Sequence, residues 1–356
     1  MRAISPLIIC AAALAADRPG TAAGEPAIPP RTFTYAPPGG KAPLGDVLRD
    51  LTRQTNIAVD PGSADPGGEI TSNFRAVPFW EALQRIAAET GHRVVLRDRG
   101  KAIALEKSDA PAPPASVSGP FRIAARELAA RRDLDTGRST YHLALSVNWE
   151  PRFKVFRIDA YPTVTSGRDD RGGVVTAPAV KAKTPVTGFQ ADSRVRLEGL
   201  SADSRAVAEL SGAFTATVAE KMLLFRFDDL TAAQPLTQKQ EGVTATLRRF
   251  EKRGDRWVAE VELRYPPGQP EFESFESWLG ENRLTLVAPG GRRRFPSEDY
   301  EVLAGGEVAR VRYLFEEDPD RGLTPGDRKG WSLEYETPSP LKEVTVPFTL
   351  RDIPLP

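Results

Sequence analysis

The sequence of 356 residues is poor in the side chains that carry most enzyme chemistry, since it holds one cysteine and two histidines. The cysteine, Cys10, lies in an apolar run at the N-terminus, so a chain cleaved after that run has no cysteine for disulfides or thiol catalysis. The sequence also lacks an excess of either charge, because 48 basic residues are scattered among 48 acidic ones. A nucleic acid is therefore not expected as a partner.

Long apolar runs are missing as well, and no segment reaches the roughly 20 apolar residues that a transmembrane helix needs. Proline, in contrast, is abundant, with 32 residues that fall mainly between the periodic segments. The shares of hydrophobic residues (40%) and charged residues (27%) are ordinary for a globular protein. We therefore predict a β-rich chain with many turns, folded into three units.

Residues 1–16 have the pattern of a secretory signal peptide. Arg2 precedes a mostly apolar run, and residues 13–15 provide an A-x-A cleavage site. Within this run, residues 7–10 partly resemble the lipobox of a bacterial lipoprotein, with Cys10 as its cysteine, although Ile9 stands where a small residue is expected. We predict export to the periplasm or cell envelope, with no transmembrane segment after cleavage, and keep a lipoprotein anchored through Cys10 as the minor alternative.

The first folded unit begins with a helical pattern that is expected to end near Asn56. Its apolar residues share one helix face: Leu44, Val47, Leu48 and Leu51. A second helix is predicted after Pro78, and Gly91 has the place of a C-terminal cap. Its apolar residues also share one face: Phe79, Leu83, Ile86 and Ala87. The other elements are predicted strands, of which the last two form a hairpin: residues 57–59, 69–74, 92–97 and 102–106.

This order of elements occurs with three sequence phrases: PLGDVLRDLTRQTNIAVD at residues 43–60, VPFWEAL at residues 77–83 and AETG at residues 88–91. On these residues the unit, residues 32–107, resembles the short N-terminal domain of secretins and TonB-dependent transducers. Those families have two residues between Val-Pro and Ala-Leu, where this chain has three. The likeness covers about a fifth of the chain and rests on core and turn positions.

The resemblance implies a soluble adaptor of α+β fold that contacts inner-membrane or regulatory partners. It does not extend to the pore or receptor part of those proteins, so neither secretion nor reception is implied. What it implies is docking.

Farther along the chain, apolar residues recur at every second position, which predicts strands with one buried face. One strand alternates these apolar residues with mixed ones: Tyr141, Leu143, Leu145, Val147 and Trp149. With residues 121–130 it forms a predicted long hairpin, and a similar hairpin recurs at residues 243–251 and 257–265. Because residues 225–230 and 348–353 are also alike, we predict a tandem pair of immunoglobulin-like β-sandwiches.

The predicted fold class is thus multidomain, with a small α+β domain followed by two mostly-β sandwich domains. The predicted division is as follows: signal peptide 1–16, flexible tether 17–31, α+β domain 32–107, Pro/Ala linker 108–118, first sandwich 119–230, linker 231–240 and second sandwich 241–356. The Ala, Pro and Gly content of the first tether and linker predicts that the α+β domain moves independently.

Neither histidine has a partner at a spacing that predicts catalysis, because a triad or a zinc site needs several convergent groups. His142 is expected on the mixed face of its strand, and His92 just after a helix. We therefore predict no catalytic, cofactor-binding or metal-binding residue, and no cofactor.

Two loops rich in Asp and Gly offer the oxygen ligands that calcium prefers. They contain Asp133, Asp135 and Gly137 in one case, and Asp318, Asp320 and Asp327 in the other. Hairpin turns favour the same residue types, so turns are the preferred interpretation. Two further acidic groups could supply the carboxylates of a glycosidase, although a solvated face is preferred for them: Glu271, Glu273 and Glu276 beside Trp278, and Asp228 with Asp229.

Three other segments have features of possible sites. Residues 272–279 have helical spacing and are predicted to cover an open end of the second sandwich, with ligand docking through their aromatics as the alternative. Residues 166–173 contain glycine but no Walker lysine, and they are predicted to be a loop between strands. Residues 292–294, three arginines, are predicted to form a solvated turn rather than a patch for an acidic polymer or membrane.

These patterns favour a non-enzymatic exported envelope protein that acts as a docking or scaffold module for envelope proteins not yet identified. The alternative is a protein that binds or hydrolyses carbohydrate with the aromatics and carboxylates of the sandwiches, so a glycan is a possible partner. Calcium-dependent adhesion is a third hypothesis.

Overall fold

The computed structural model describes residues 28–137, 139–186, 188–201, 203–232, 235–268, 278–305 and 308–356. The predicted signal peptide, the predicted tether up to residue 27 and most of the predicted helix at residues 272–279 lie outside them. The described residues form 25 strands and two α-helices, so the mostly-β character predicted from the sequence is confirmed.

The N-terminal unit, residues 32–107, contains both α-helices and seven short strands. Its elements are β1 Thr32–Tyr35, β2 Ala42–Pro43, α1 Leu44–Thr55, β3 Val59–Asp60, β4 Glu69–Ile70, β5 Phe74–Pro78, α2 Phe79–Glu89, β6 His92–Arg97 and β7 Ala102–Lys107. The strands form three small sheets, β1 with β5, β2 with β4, and β3, β7 and β6 in that order. One hydrophobic core lies between these sheets and the inner faces of the helices.

Both helices lie where the apolar spacing predicts them. The four predicted core positions of α1 and the four of α2 are all buried. Asn56 ends α1 in the left-handed conformation, with φ 58°, and donates its backbone N–H to the carbonyl of Thr52 at 2.8 Å. Gly91 has φ 70° beyond α2, as expected for a glycine that ends a helix.

Eighteen further strands follow in the described residues. They are β8 Ala115–Ser118, β9 Phe121–Arg132, β10 Ser139–Trp149, β11 Lys154–Asp159, β12 Thr163–Asp169, β13 Lys183–Pro185, β14 Gln190–Leu197, β15 Ala206–Ala219, β16 Met222–Phe227, β17 Leu236–Gln240, β18 Val243–Arg253, β19 Arg256–Arg264, β20 Arg283–Val287, β21 Arg294–Pro296, β22 Asp299–Ala304, β23 Val308–Glu316, β24 Ser332–Pro338 and β25 Lys342–Pro354.

These strands form four sheets that pack in pairs. Sheet 1 has the order β14-β10-β9-β8, and sheet 2 is centred on β15, with β11 and β12 along one edge and β25 along the other. Sheets 1 and 2 share one hydrophobic core and are called the first two-sheet unit. Sheet 3 (β16-β24-β20-β21) and sheet 4 (β17-β18-β19-β23-β22) share another core and are called the second two-sheet unit.

The strand β25 lies in the first two-sheet unit, although the predicted division placed residues 241–356 together. It pairs with β15 along its length, from Ala206 opposite Pro354 to Val218 opposite Lys342. Its aliphatic and aromatic residues are buried in the core of sheets 1 and 2: Val344, Val346, Phe348, Leu350 and Ile353. Buried residues occupy every second position from Val344 to Leu350, but such alternation carries no information on the neighbouring strand.

The resemblance between residues 225–230 and 348–353 therefore does not correspond to equivalent places in two tandem units. The first segment belongs mainly to β16, which pairs with β24 in the second two-sheet unit. The second belongs to β25 in the first two-sheet unit. The predicted division placed β16 in the first sandwich and β25 in the second. In the structure, β16 lies in the second two-sheet unit and β25 in the first.

Parts of the predicted tether and linkers are ordered elements. Residues 115–118 form β8, which pairs with β9, and residues 236–240 form β17, which pairs with β18. Ile28, in the predicted tether, has 7% of its surface exposed and packs into the core of sheets 1 and 2. A strand at a sheet edge needs only one partner, so its sequence can resemble that of a linker.

Candidate functional site

A cleft of about 900 Å³ lies between the N-terminal unit and the outer face of sheet 1. One wall consists of α2 and β6, and the other of β9, β10 and the start of β14. Residues from Ser108 to Pro113 run along its rim. This volume is within the range of about 300–1,000 Å³ that is usual for ligand sites.

Among the described residues, two hydrogen bonds attach the N-terminal unit to the first two-sheet unit. Trp80 is fully buried, and its Nε1 donates to the carbonyl of Pro120 at 3.0 Å. At the tip of the β6–β7 hairpin, the backbone N–H of Phe189 donates to the carbonyl of Gly100 at 2.5 Å. The backbones are so close here that a Cβ on Gly188 would lie 2.2 Å from that carbonyl oxygen. The unit is docked, contrary to the predicted independent movement.

Glu150 fixes the segment that leads into β1. Its fully buried carboxylate accepts a hydrogen bond from the backbone N–H of Arg31 at 2.9 Å and another from Nε of Arg152 at 2.6 Å. Burial raises the pKa of Glu150, while these hydrogen bonds and the charge of Arg152 oppose the rise. The guanidinium of Arg152 also donates to the carbonyl of Pro29. These contacts hold the start of the N-terminal unit against sheet 1.

The polar floor of the cleft comes from the alternation of β9 and β10. Phe121 and Ile123 point into the core of the first two-sheet unit, so Arg122 between them lies on the outer face of sheet 1. Ser146 and Asn148 occupy the corresponding face of β10, and they are buried because the N-terminal unit covers them. The sequence predicts this face as mixed but gives no sign that it is covered.

Arg122 is a buried cation without an anionic partner. Its exposed fraction is 8%, and no carboxylate of the described residues lies within 4.0 Å of its guanidinium nitrogens. Nη1 donates to Oδ1 of Asn148 at 3.0 Å, and the amide of Asn148 donates to the Ser146 hydroxyl at 3.1 Å. Nε has no hydrogen-bond partner. Burial lowers the pKa of Arg122 to about 10, so the side chain is cationic at neutral pH.

The residues that line the cleft carry an excess of positive charge, with four arginines and two glutamates. Three of the arginines have acidic neighbours: Arg85 bonds to Glu81, Arg93 lies 3.7 Å from Glu106, and Arg126 lies 2.9 Å from Asp192. These three are exposed. The uncompensated charge of the cleft is therefore concentrated at the buried Arg122.

His92 also lines the cleft. Its Nδ1 lies 2.7 Å from the carbonyl of Thr90, and because a carbonyl can only accept, Nδ1 carries a proton. Nε2 is buried without a hydrogen-bond partner. His142 lies elsewhere, exposed on β10 beside a second cleft of about 340 Å³ that also contains Tyr161. The structure thus separates the two histidines.

The acidic loops use their carboxylates within turns. Oδ1 of Asp133 accepts the backbone N–H groups of Asp135 and Thr136 at 3.0 and 2.8 Å, and these bonds lower the pKa of Asp133. Asp318 and Asp327 accept backbone N–H groups in the same way. No group of three or more potential ligands within the described ranges could hold a metal ion.

The remaining predicted candidates lie outside the described residues or are paired. Glu271, Glu273 and Glu276 belong to the first kind, and of the predicted helix only a 3-10 turn at Trp278–Glu281 is described. Asp228 pairs with Arg226, and Asp229 accepts hydrogen bonds from Thr231 and Ala232. In the arginine cluster, Arg294 pairs with Glu334 and Arg293 donates to the carbonyl of Arg321.

The segment at residues 166–173 begins as part of β12 rather than as a loop, and it leads to a buried carboxylate, Asp169. This side chain accepts hydrogen bonds from the backbone of Arg171, Gly173 and Ser201 and from the Ser204 hydroxyl. Hydrogen bonds from Ser201 and Ser204 hold the pKa of Asp169 well below its ordinary range. Asp169 thus joins two loops of the first two-sheet unit.

Replacing Asp169 with asparagine is expected to lower the midpoint of thermal unfolding at pH 7 by roughly 2–6 °C. If the amide nitrogen of the new side chain takes the place of Oδ2, it faces the backbone N–H of Ser201, so that hydrogen bond is lost, and the Ser204 hydroxyl must turn to accept instead of donating. Because the folded-state pKa is depressed, the stability that Asp169 contributes is present above its unfolded-state pKa of about 3.9 and is lost as the pH falls below it. Calorimetry from pH 7 to pH 3 should show the difference narrowing, whereas Asp203→Asn, at an exposed site nearby, should change little.

The second two-sheet unit contains two clusters of polar side chains whose members bond to one another. In its core a chain of hydrogen bonds joins Tyr313, Tyr335, Asn282, Thr337 and Tyr265. Burial raises the pKa values of the three tyrosines. These hydroxyls are satisfied and inaccessible, which fits a structural role.

The outer face of sheet 4 carries the second group, a row of ion pairs. They are Arg248 with Glu262 at 2.7 Å, Arg310 with Glu262 at 3.1 Å and Arg249 with Glu260 at 3.4 Å. Charge is compensated on this face, whereas on the outer face of sheet 1 it is not. The cleft is therefore the stronger candidate site.

The sequence does not predict the cleft, because a charged residue between apolar ones on a strand usually lies on a solvated face. Within the described part of the chain no helix is long and apolar enough to cross a membrane. No protein-family model matches the chain, and comparison with curated proteins and with solved structures found no match either.

Proposed function

We propose that this chain is a non-enzymatic, exported envelope protein that docks a partner protein in the cleft between the N-terminal unit and sheet 1. The proposal includes the finer fold assignment, with an N-terminal domain of the secretin and TonB-transducer type and two β-sandwich domains. The observation that carries it is the cleft itself, which has a ligand-sized volume and an excess of cationic side chains.

Docking is favoured over catalysis by the groups that line the cleft. Its glutamates are paired with arginines. The lining also brings no hydroxyl or thiol nucleophile within hydrogen-bonding distance of His92 among the described residues. General acid–base or nucleophilic catalysis needs such a pair. Binding needs only shape and complementary charge.

Site-specific photo-crosslinking in intact cells tests this proposal. A photoreactive amino acid in place of Ala88, an exposed cleft residue on α2, should give a discrete adduct with one partner. The same group in place of Arg49, exposed on α1 of the same unit, should not. The partner, once identified by mass spectrometry and purified, should bind the full chain.

Two results would contradict the proposal. One is an adduct pattern that is the same at both positions, since this would indicate random encounter. The other is recovery of monomer alone from cells that contain the full envelope.

Carbohydrate binding is the second candidate, and the smaller cleft favours it. Tyr161 is 39% exposed there, beside Pro162 and Pro178 and near Arg194 and Arg196. An exposed aromatic ring flanked by hydrogen-bond donors is suited to stacking on a sugar. Glycan-array binding by the intact protein would favour this function over docking.

A further inference from the structure

Arg122 is the only buried arginine among the described residues. Arg310 and Arg312 also have an Nε without a partner, but each lies next to a carboxylate: Arg310 next to Glu260 and Glu262, and Arg312 next to Glu301. Arg122 has only the neutral amide of Asn148. A buried charge without a counterion is costly, and cores normally avoid it.

The position of Arg122 allows an anionic ligand to offset this free-energy cost. The side chain lies on the floor of the cleft, opposite β6. Its Nε is buried, so a molecule in the cleft reaches the positive charge through the part of the residue that remains exposed, 8%. Carboxylates form the strongest hydrogen bonds with guanidinium groups, often through two parallel N–H donors. The Arg122 side chain is largely shielded from solvent, so the attraction is weakly screened.

The opposite wall suits a polypeptide. Consecutive residues of β6, from His92 to Leu96, line the cleft, and β6 is the edge strand of its sheet. Backbone N–H and C=O groups on an edge can bond to another chain. His92, whose Nε2 has no hydrogen-bond partner, lies at the start of this strand.

We propose that Arg122 is the anchor for an aspartate or glutamate side chain on an acidic segment of the partner protein. This inference rests on the proposed docking function and specifies its chemistry. The uncompensated charge of Arg122 favours an acidic segment over a basic or neutral one. The carboxylate takes the place of the counterion that the folded chain does not supply to Arg122.

Fluorescence anisotropy with the full chain and two blocked nine-residue peptides tests the anchor. The peptides are identical except that the central residue is aspartate in one and asparagine in the other. The wild-type protein is expected to bind the aspartate peptide at least about tenfold more tightly. Arg122→Gln should abolish this preference, and Arg122→Lys should keep part of it. Arg132→Gln, an exposed residue of the same strand outside the cleft, should leave the preference unchanged.

Thermal unfolding of the same variants separates anchoring from a structural role. Arg122→Gln removes an uncompensated buried charge, so its midpoint temperature should equal or exceed that of the wild type. If Arg122 were needed for folding, the midpoint would fall together with the peptide preference. That outcome would overturn the anchor.

The other outcomes distinguish the two proposals. Equal binding of both peptides to the wild type, or an aspartate preference that survives in Arg122→Gln, would overturn the anchor and leave docking in place. No binding of the aspartate peptide at millimolar concentration would also overturn it, even if Ala88 crosslinks to one partner. Acetate and inorganic phosphate serve as competitors. Displacement of the aspartate peptide by either anion shows that a small anion binds at Arg122.

Discussion

Replacing Phe348 with alanine is expected to lower the free energy of unfolding by about 3–5 kcal/mol. The side chain is 3% exposed and lies in the core of sheets 1 and 2. Its ring carbons would lie 2.9 Å from a Cβ built on Gly212, which indicates how closely β25 and β15 are packed. Removing the ring leaves a cavity between tightly packed strands, and the loss of contacts is added to the lost burial.

The location of the effect matters as much as its size. Hydrogen exchange measured by mass spectrometry should show faster exchange in β10 and β15, whose side chains share the core with Phe348, and little change in β23. Thr345→Ala, at an exposed position of the same strand, should stay within about 0.5 kcal/mol of the wild type. Loss of protection in β23 instead would mean that the strand belongs to the second two-sheet unit.

Replacing Trp80 with alanine is expected to cost about 3–5 kcal/mol in the N-terminal unit and to release that unit from sheet 1. The indole has no exposed surface, and it packs edge-on against Phe79 with ring centroids 5.0 Å apart. It also donates the hydrogen bond to Pro120. One side chain therefore serves both the core of the unit and its attachment.

Limited proteolysis and chemical denaturation together measure both effects. In Trp80→Ala, cleavage between Ser108 and Pro113 should become faster, because the rim of the cleft is no longer held. Trp80→Phe keeps most of the apolar surface and loses only the donor, so it should cost less, about 1–3 kcal/mol. Unchanged cleavage in Trp80→Ala, despite a lower stability, would show that the other contacts suffice to hold the unit.

The secondary structure of the N-terminal unit is predictable from its sequence because the determinants are local. The i, i+3, i+4 spacing places Leu44 and Leu51 on one face, and Asn56 and Gly91 supply the backbone conformations that end the helices. Strand alternation likewise identifies Leu143, Leu145, Val147 and Trp149 as core residues. These signals act within a few residues along the chain.

The features that the sequence does not reveal depend on contacts between distant segments. Val346 and Phe348 alternate as a buried strand should, but nothing in β25 specifies β15 as its neighbour. Arg122 lies between Phe121 and Ile123, in the alternation expected of an exposed residue. It is buried because the N-terminal unit docks over this face of sheet 1. The same holds for Ser146 on the adjacent strand.

The pairing of β25 with β15 has a consequence for the time course of synthesis. The whole second two-sheet unit is encoded between these two strands, so it can complete its own fold while the first still lacks a strand. At translation rates of about 5–20 residues per second, the edge of β15 waits on the order of 10 s for its neighbour. During that interval an unpaired strand edge and an uncovered apolar face are open to wrong partners.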